Sequence, residues 1–288
     1  MSEIIESTTQ LLNISADAYH ADPCYVPSLS ASIAKTIITR SAYHAWCEHP
    51  RLGGKARLAS KAMDAGTLAH SLLLDGGTGL RVLDFDSWRT KASQEARDTA
   101  RAEGLTPVLA DDYNAVSLVA AAFARKLSDR GILLDGKSGA VLTWVEDSDY
   151  GPVQCRAMLD HFFEQRGSYL EFKTTGSADA ESCMRVAWNM GYDIQLAAYT
   201  SAIEHVFPSL AGRGRSFLAF GELDEPHCLS VYEPDGPFRQ IGAMRWQRAV
   251  NIWAKCTKDG VWPEYQPHDA IELISVPMWA HQRELGEL

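Results

Sequence analysis

The chain has 288 residues, 46% of them hydrophobic and 22% charged, with a formal net charge of −10. That much apolar material can bury a sizeable core and argues for a globular protein rather than a disordered one; no run of about 18 apolar residues is present, so no membrane-spanning helix is expected. The acidic balance argues against a protein that coats nucleic acid indiscriminately, but not against a carboxylate-rich site behind a local basic channel.

The opening MSEIIESTTQLLNIS is polar and acidic and lacks the basic start and apolar stretch of a signal peptide. The expectation is a cytoplasmic protein with reduced thiols. Cys24, Cys47, Cys155, Cys183, Cys228 and Cys256 are scattered, without the close spacing of a zinc or iron–sulfur site, and no iron–sulfur cluster is expected. Up to Pro27 the chain reads as loop. Ser28 to Ser32 offer hydroxyl caps for a helix through IAKTIITR, and a short helix over AYHAWCEH stops at Pro50. KAMDAGTLAHSLLL reads as a helix ended by Gly76 and Gly77, residues 82–105 as irregular or helical, and DDYNAVSLVAAAFARKLSDR as a strong amphipathic helix.

The pattern then changes to three short strands at residues 139–146, 153–160 and from Ser168 through SYLEFKTT, which suggests a meander. A helix from about Asp179 continues or restarts through YDIQLAAYTSAIEHVF. Two more strands are expected at 215–222 and 227–232, then a long helix from Pro237 to Asp259 and a loop-rich tail ending in a short helix. This order predicts an α/β fold with a central mixed sheet flanked by helices and an N-terminal helical elaboration. With no clean linker, residues 1–288 read as one domain: a mostly helical part (1–135), the catalytic sheet and its helices (136–266) and a C-terminal tail (267–288).

The chemistry concentrates on the strands. Asp160 ends one; Glu171 and Lys173 lie on the next and share a face, since residues two apart in a strand point the same way. If the two strands pair as a hairpin, Asp160 reaches the same spot. Two carboxylates suit Mg²⁺, with Mn²⁺ as an alternative, and the carbonyl of Phe172 is a natural extra ligand. The metal acidifies a bound water and offsets phosphate charge, while a lysine can orient the water or stabilise the transition state. The bland alternative is a salt bridge across a hairpin. The apolar setting of YLEFKTT favours burial, and buried charges are paired or bind metals. Gln195 and Tyr199, at i and i+4, share one helix face; they either hold phosphate or position the lysine, or are ordinary helix polarity. His70, in GTLAHSLLL, is either a core histidine or a metal ligand from the helical side. Arg51, Lys55, Arg57 and Lys61, then Arg213 and Arg215, then Arg239, Arg245 and Arg248 are candidate DNA-contacting groups or plain surface charge.

The succession Gly66-x-x-x-His70, Asp160, Glu171-x-Lys173 and Gln195-x-x-x-Tyr199 resembles the PD-(D/E)xK nucleases of the RecB/RecE type. More narrowly, the chain looks like the exodeoxyribonuclease VIII-type nuclease domains of phage and prophage. The phrases GTLAHSLLL, CRAMLDHF, LEFKTT, YDIQLAAYTSAI, VWPEY and VPMWAHQREL resemble family phrases in the same order. The resemblance implies a restriction-endonuclease-like sheet. His70, Asp160 and Glu171 would hold Mg²⁺, Lys173 would be the catalytic lysine, and Gln195 and Tyr199 would match the helix motif beside the cleft. It further implies digestion of linear double-stranded DNA from 5′ ends to leave 3′ single strands, a ring-shaped homo-oligomer, and a single-strand annealing protein as partner in recombination. Two departures stand out: Glu171 occupies a position where relatives often have Asp, and Leu159 precedes Asp160 where the motif has proline. The rival expectations are a structure-specific or single-strand nuclease of the same fold, and a non-catalytic module that binds DNA ends.

Overall fold

The computed structural model describes residues 9–54, 61–266 and 271–285, with side chains excepted at 61–65 and 285. In chain order the elements are β1 (Gln10–Leu12), α1 (Ala16–His20), β2 (Leu29–Ser30), α2 (Ala31–Thr39), α3 (Ala42–Glu48) and α4 (Lys61–Leu74). Next come β3 (Leu80–Leu83), α5 (Lys91–Ala102), β4 (Thr106–Leu109), α6 (Ala110–Ser128), β5 (Lys137–Glu146), β6 (Val153–Phe163) and β7 (Ser168–Thr174). The chain continues through α7 (Ala180–Asn189), α8 (Tyr192–Val206), β8 (Ser216–Gly221), β9 (Leu229–Tyr232), α9 (Gly236–Asp259) and α10 (Met278–Leu285).

The main sheet runs β1-β5-β6-β7-β8-β9, with β2 laid beside β6. Its centre is the expected meander β5-β6-β7, antiparallel throughout, after which β8 joins β7 in parallel. That parallel step needs a crossover, and α7 and α8 supply it. Strand β7 shows why the sheet is covered on both sides: its residues alternate between two cores. Tyr169 packs with Leu159, Phe162, Ile194, Trp246 and Trp253 beneath α2, α8 and α9. Leu170 and Phe172 pack with Leu73, Phe123, Leu127 and Ala219 against α4 and α6. Each such side chain contributes about 1.5–3 kcal/mol on burial. The fold is therefore mixed α/β, with helices on both faces of one central sheet. No described helix is long and apolar enough to cross a membrane.

Several local expectations are corrected. The opening segment is not all loop: Gln10–Leu12 extends the sheet edge along β5, and Ser15 caps α1 by accepting from the Ala18 N–H at 3.2 Å. Within 82–105, α5 is preceded by β3, and β3 pairs in parallel with β4 as a separate ribbon. Of the serines expected to cap α2, Ser30 holds the cap position without a side-chain cap bond, its hydroxyl lying 3.1 Å from that of Ser32. Ser28 Oγ donates instead to Asp22 Oδ1 at 2.6 Å. Of the two readings of the stretch from Asp179, a continuous or a restarted helix, the second holds: the chain turns at Gly191 with φ +67°, a conformation glycine adopts without a Cβ clash.

Helix α9 approaches α8 at Gly242, where an added Cβ would lie inside the Asp193 carbonyl group. Gly242→Ala should therefore force the helices apart and cost about 1–3 kcal/mol, read by urea unfolding. A variant as stable as the parent would show that this contact does not set the spacing.

Candidate active site

The site lies where β6 and β7 part. Their ladder pairs Phe163 with Ser168, Phe162 with Tyr169 and His161 with Leu170, and stops there. On the other side of β6, Gly139 is left unpaired opposite Asp160, between the pairs Ser138–His161 and Ala140–Leu159. Beyond that point side-chain carboxylates take over from the backbone. The Asp160 N–H donates to Glu171 Oε1 at 3.0 Å, and the Phe172 N–H donates to Asp160 Oδ2 at 3.0 Å. Strand geometry puts Glu171 and Lys173 on the same face, and the break in the ladder lets Asp160 reach them.

Lys173 Nζ donates to Glu171 Oε2 at 2.9 Å and to Asp160 Oδ2 at 3.3 Å. Gln195 Nε2, from α8, donates to Glu171 Oε2 at 2.8 Å and to the Tyr199 hydroxyl at 2.9 Å. The Tyr199 hydroxyl in turn donates to the Met158 carbonyl at 2.9 Å. From α4, His70 Nε2 lies 3.1 Å from Asp160 Oδ1. Six of the seven expected side chains thus meet in one network. Phe172 joins it through its amide N–H, its ring being buried in the α4–α6 core.

The electrostatics follow from placing two carboxylates in a site where Glu171 is fully buried. Burial pushes Glu171 up, the Asp160 charge pushes the same way, and the result is a carboxyl raised to about 7 despite Lys173. Burial would also raise Asp160, but Lys173, the His70 hydrogen bond and charge, and the Phe172 N–H hold it well below the usual carboxylate range. Burial pulls His70 down, yet the hydrogen bond and charge of Asp160, with Asp75, hold it above its ordinary value. Lys173 is raised: the two carboxylates outweigh its desolvation. Two carboxylates with opposite shifts define a site that can hold or release a proton near neutrality.

Among the described residues no three His, Cys, Asp or Glu side chains stand as a ready metal cage. The donor chemistry still fits a hard divalent ion, because carboxylate oxygens and an imidazole nitrogen converge here. Their charge is neutralised by Lys173 and by the His70 contact. Tyr199→Phe removes the hydroxyl that links Gln195 to the Met158 carbonyl. It should cost about 1–2 kcal/mol in urea unfolding, as a buried hydrogen-bond pair is lost. An unchanged midpoint would mean the link adds nothing.

The expected basic groups are dispersed. The Arg51 guanidinium bonds the Cys24 and Tyr25 carbonyls, Arg215 pairs with Glu233, and Arg245 pairs with Asp193 at 2.7 Å. Arg248 lines a groove with Tyr150, Met244 and Lys255. Lys55, Arg57 and the side chain of Lys61 lie outside the described residues. Sequence reasoning missed Tyr192, whose ring centre lies 5.6 Å from Lys173 Nζ. The signal was available: Tyr192 precedes Gln195 by three residues on the same helix.

No family model matches the sequence, and no curated protein matches it. Among solved structures, a protein from Eubacterium rectale provisionally described as an exonuclease superposes with a TM-score of 0.58 at 12% identity. The superposition covers 96% of this chain and 100% of that one. A phage-related exonuclease from Haemophilus somnus aligns more loosely, with a TM-score of 0.32 at 11% identity over 81% of this chain and 96% of that one. The first likeness shows a shared fold, a central sheet flanked by helices.

Proposed function

We propose that this chain is a metal-dependent nuclease that hydrolyses phosphodiester bonds in DNA. The observation that carries the proposal is the meeting of Asp160, Glu171 and Lys173 at the parting of β6 and β7, with both carboxylates bonded to strand N–H groups and to one ammonium. A salt bridge across a hairpin would need neither the buried Glu171 nor the Gln195 and His70 contacts. The shared fold with a protein provisionally described as an exonuclease supports the same reading.

Asp160, Glu171, His70 and the Phe172 carbonyl would hold Mg²⁺ or Mn²⁺. When bound, such an ion supplies Lewis acidity toward a phosphate oxygen and lowers the pKa of a water. Lys173, freed from one of its carboxylates, would place its ammonium against the developing negative charge. Gln195 keeps Glu171 oriented, and Tyr199 keeps Gln195 in place. Before an ion binds, His70, with its raised pKa, holds a proton on Nε2 against the ionised Asp160, and that proton must leave for the imidazole to become a ligand.

The finer reading is a 5′-to-3′ exonuclease on linear double-stranded DNA that leaves 3′ single strands for recombination. It works as a homo-oligomeric ring with a single-strand annealing protein, in the cytoplasm, from one catalytic domain of phage or prophage type. It rests on the motif order. The test is end-labelled linear duplex beside a covalently closed circle, with Mg²⁺ and with EDTA. Loss of the linear duplex alone, from the 5′-labelled end first, is expected. Cutting of the circle would replace the exonuclease with an endonuclease, and no cleavage with retained end binding would leave a binding module.

A further inference from the structure

Helix α7 and the turn that follows it carry an exposed apolar surface, and the chain runs from there to Tyr192 at the site. Helix α7 buries Cys183 and Ala187 against Leu218 and Phe220. Its opposite face exposes Met184 at 62% and Trp188 at 48%, and Met190 follows at 50%. Large side chains so exposed next to a candidate site mark a binding surface more often than scattered ones do. The cations around them narrow the ligand. The Arg245 guanidinium sits 4.8 Å over the Trp188 ring, held from below by Asp193 on the first turn of α8. Lys35 reaches from α2 to lie 3.8 Å from Met190 Sδ, and among the described residues it has no carboxylate partner. Two residues past Met190, the Tyr192 ring stands against Lys173.

We propose that Trp188, flanked by Lys35 and Arg245, is a stacking platform for an unpaired base of a DNA strand whose backbone enters the candidate active site. The reading of that site as a nuclease underlies the proposal. A guanidinium over one ring face leaves indole surface exposed, and every base presents a π-face to such a surface whatever its sequence. Lys35 supplies positive potential for the backbone in a chain whose net charge is −10, while Arg245, paired with Asp193, covers one face of the ring. An apolar protein partner would be served by Met184 and Trp188 but would gain nothing from an unpaired lysine. Tyr192, four residues after Trp188, stands against Lys173, so a strand stacked on Trp188 would be led toward the lysine.

The test is fluorescence anisotropy of a labelled oligothymidylate at low salt in EDTA, where hydrolysis is blocked, with the full chain, Trp188→Ala and Trp188→Phe. A strand of equal length made of abasic sites separates stacking from charge. Trp188→Ala should weaken oligothymidylate binding about tenfold and Trp188→Phe much less. The abasic strand should bind weakly and without regard to residue 188. Equal binding by Trp188→Ala, an equal loss on the abasic strand, or no oligothymidylate binding by the parent chain would overturn the platform, and the last would favour a protein ligand. Thermal melting of each variant controls for folding. Hydrolysis of bis(p-nitrophenyl) phosphate with Mg²⁺ or Mn²⁺, too small to need the platform, should be the same for the parent and Trp188→Ala. If no protein hydrolyses any phosphodiester while the residue-188 dependence of binding holds, the nuclease reading fails and the platform stands.

Discussion

Lys173→Ala should lower DNA cleavage by at least about a hundredfold, the usual loss when one preorganised donor to developing charge is removed. The side chain has no substitute nearby. Its ammonium touches both carboxylates, and the adjacent Tyr192 ring carries no charge that could replace it. A second effect accompanies the first. Glu171 would be left buried without its cation, while Asp160 keeps the His70 contact, and stranding the buried carboxylate costs about 3–5 kcal/mol when no other change compensates. Part of that loss is avoided, because Glu171 is already raised and takes a proton first. The variant should melt lower than the parent in EDTA, and Mn²⁺ or Mg²⁺ should restore more stability to it than to the parent, since a divalent ion can replace the missing charge. Equal melting with and without metal in both proteins would count against carboxylates that hold a metal. The sequence by itself suggests that folding is largely spared; the burial of Glu171 is what changes that expectation.

The second large effect is structural. Asp22→Ala should cost about 3–5 kcal/mol, because it strands the buried Arg156 cation. The carboxylate is fully buried. It accepts from Ser28 N–H and Oγ, and it lies 3.3 Å from both Arg156 Nη1 and His49 Nε2. Arg156 also donates to the Ser28 carbonyl, so the cluster fastens β2 to β6 four residues before Asp160. Asp22 has φ +63°, which alanine resists and asparagine tolerates. Asp22→Asn should therefore lose clearly less than Asp22→Ala in urea unfolding, and equal losses would assign the whole effect to charge. The pH dependence has a definite sign. Burial would raise Asp22, but His49, Arg156 and Ser28 outweigh it, so its folded pKa lies below the unfolded one. Its contribution is full above the unfolded pKa and disappears as pH falls through the folded value. The stability gap between the parent and Asp22→Asn should hold at neutral pH and shrink below about pH 4.

These two clusters show what the sequence makes legible. The meander was readable because β5, β6 and β7 carry apolar runs bounded by turns. The pairing of Glu171 with Lys173 was readable because strand period alone puts them together. Asp160 was harder: its approach depends on the break in the ladder opposite Gly139, which no periodicity announces. Arg156 is a charge inside the apolar run VQCRAML, a signal of burial with a partner that sequence reasoning passed over. Asp22, however, comes from 134 positions earlier in the chain, a distance only the fold can close. The short β1 and the β3–β4 ribbon were missed for the same reason, since three- and four-residue strands gain their stability from partners rather than from their own pattern. The turn at Gly191 was open to either reading, and its left-handed φ sets where Tyr192 and Gln195 begin their helix.

The most direct measurement is cleavage of linear duplex DNA by the parent chain and Lys173→Ala, purified side by side, with Mg²⁺ and with EDTA. Cleavage by the parent only when Mg²⁺ is present, together with its absence from the variant, is the expected result. Equal cleavage by both proteins, or cleavage that survives EDTA, would contradict a nuclease built on Asp160, Glu171 and Lys173.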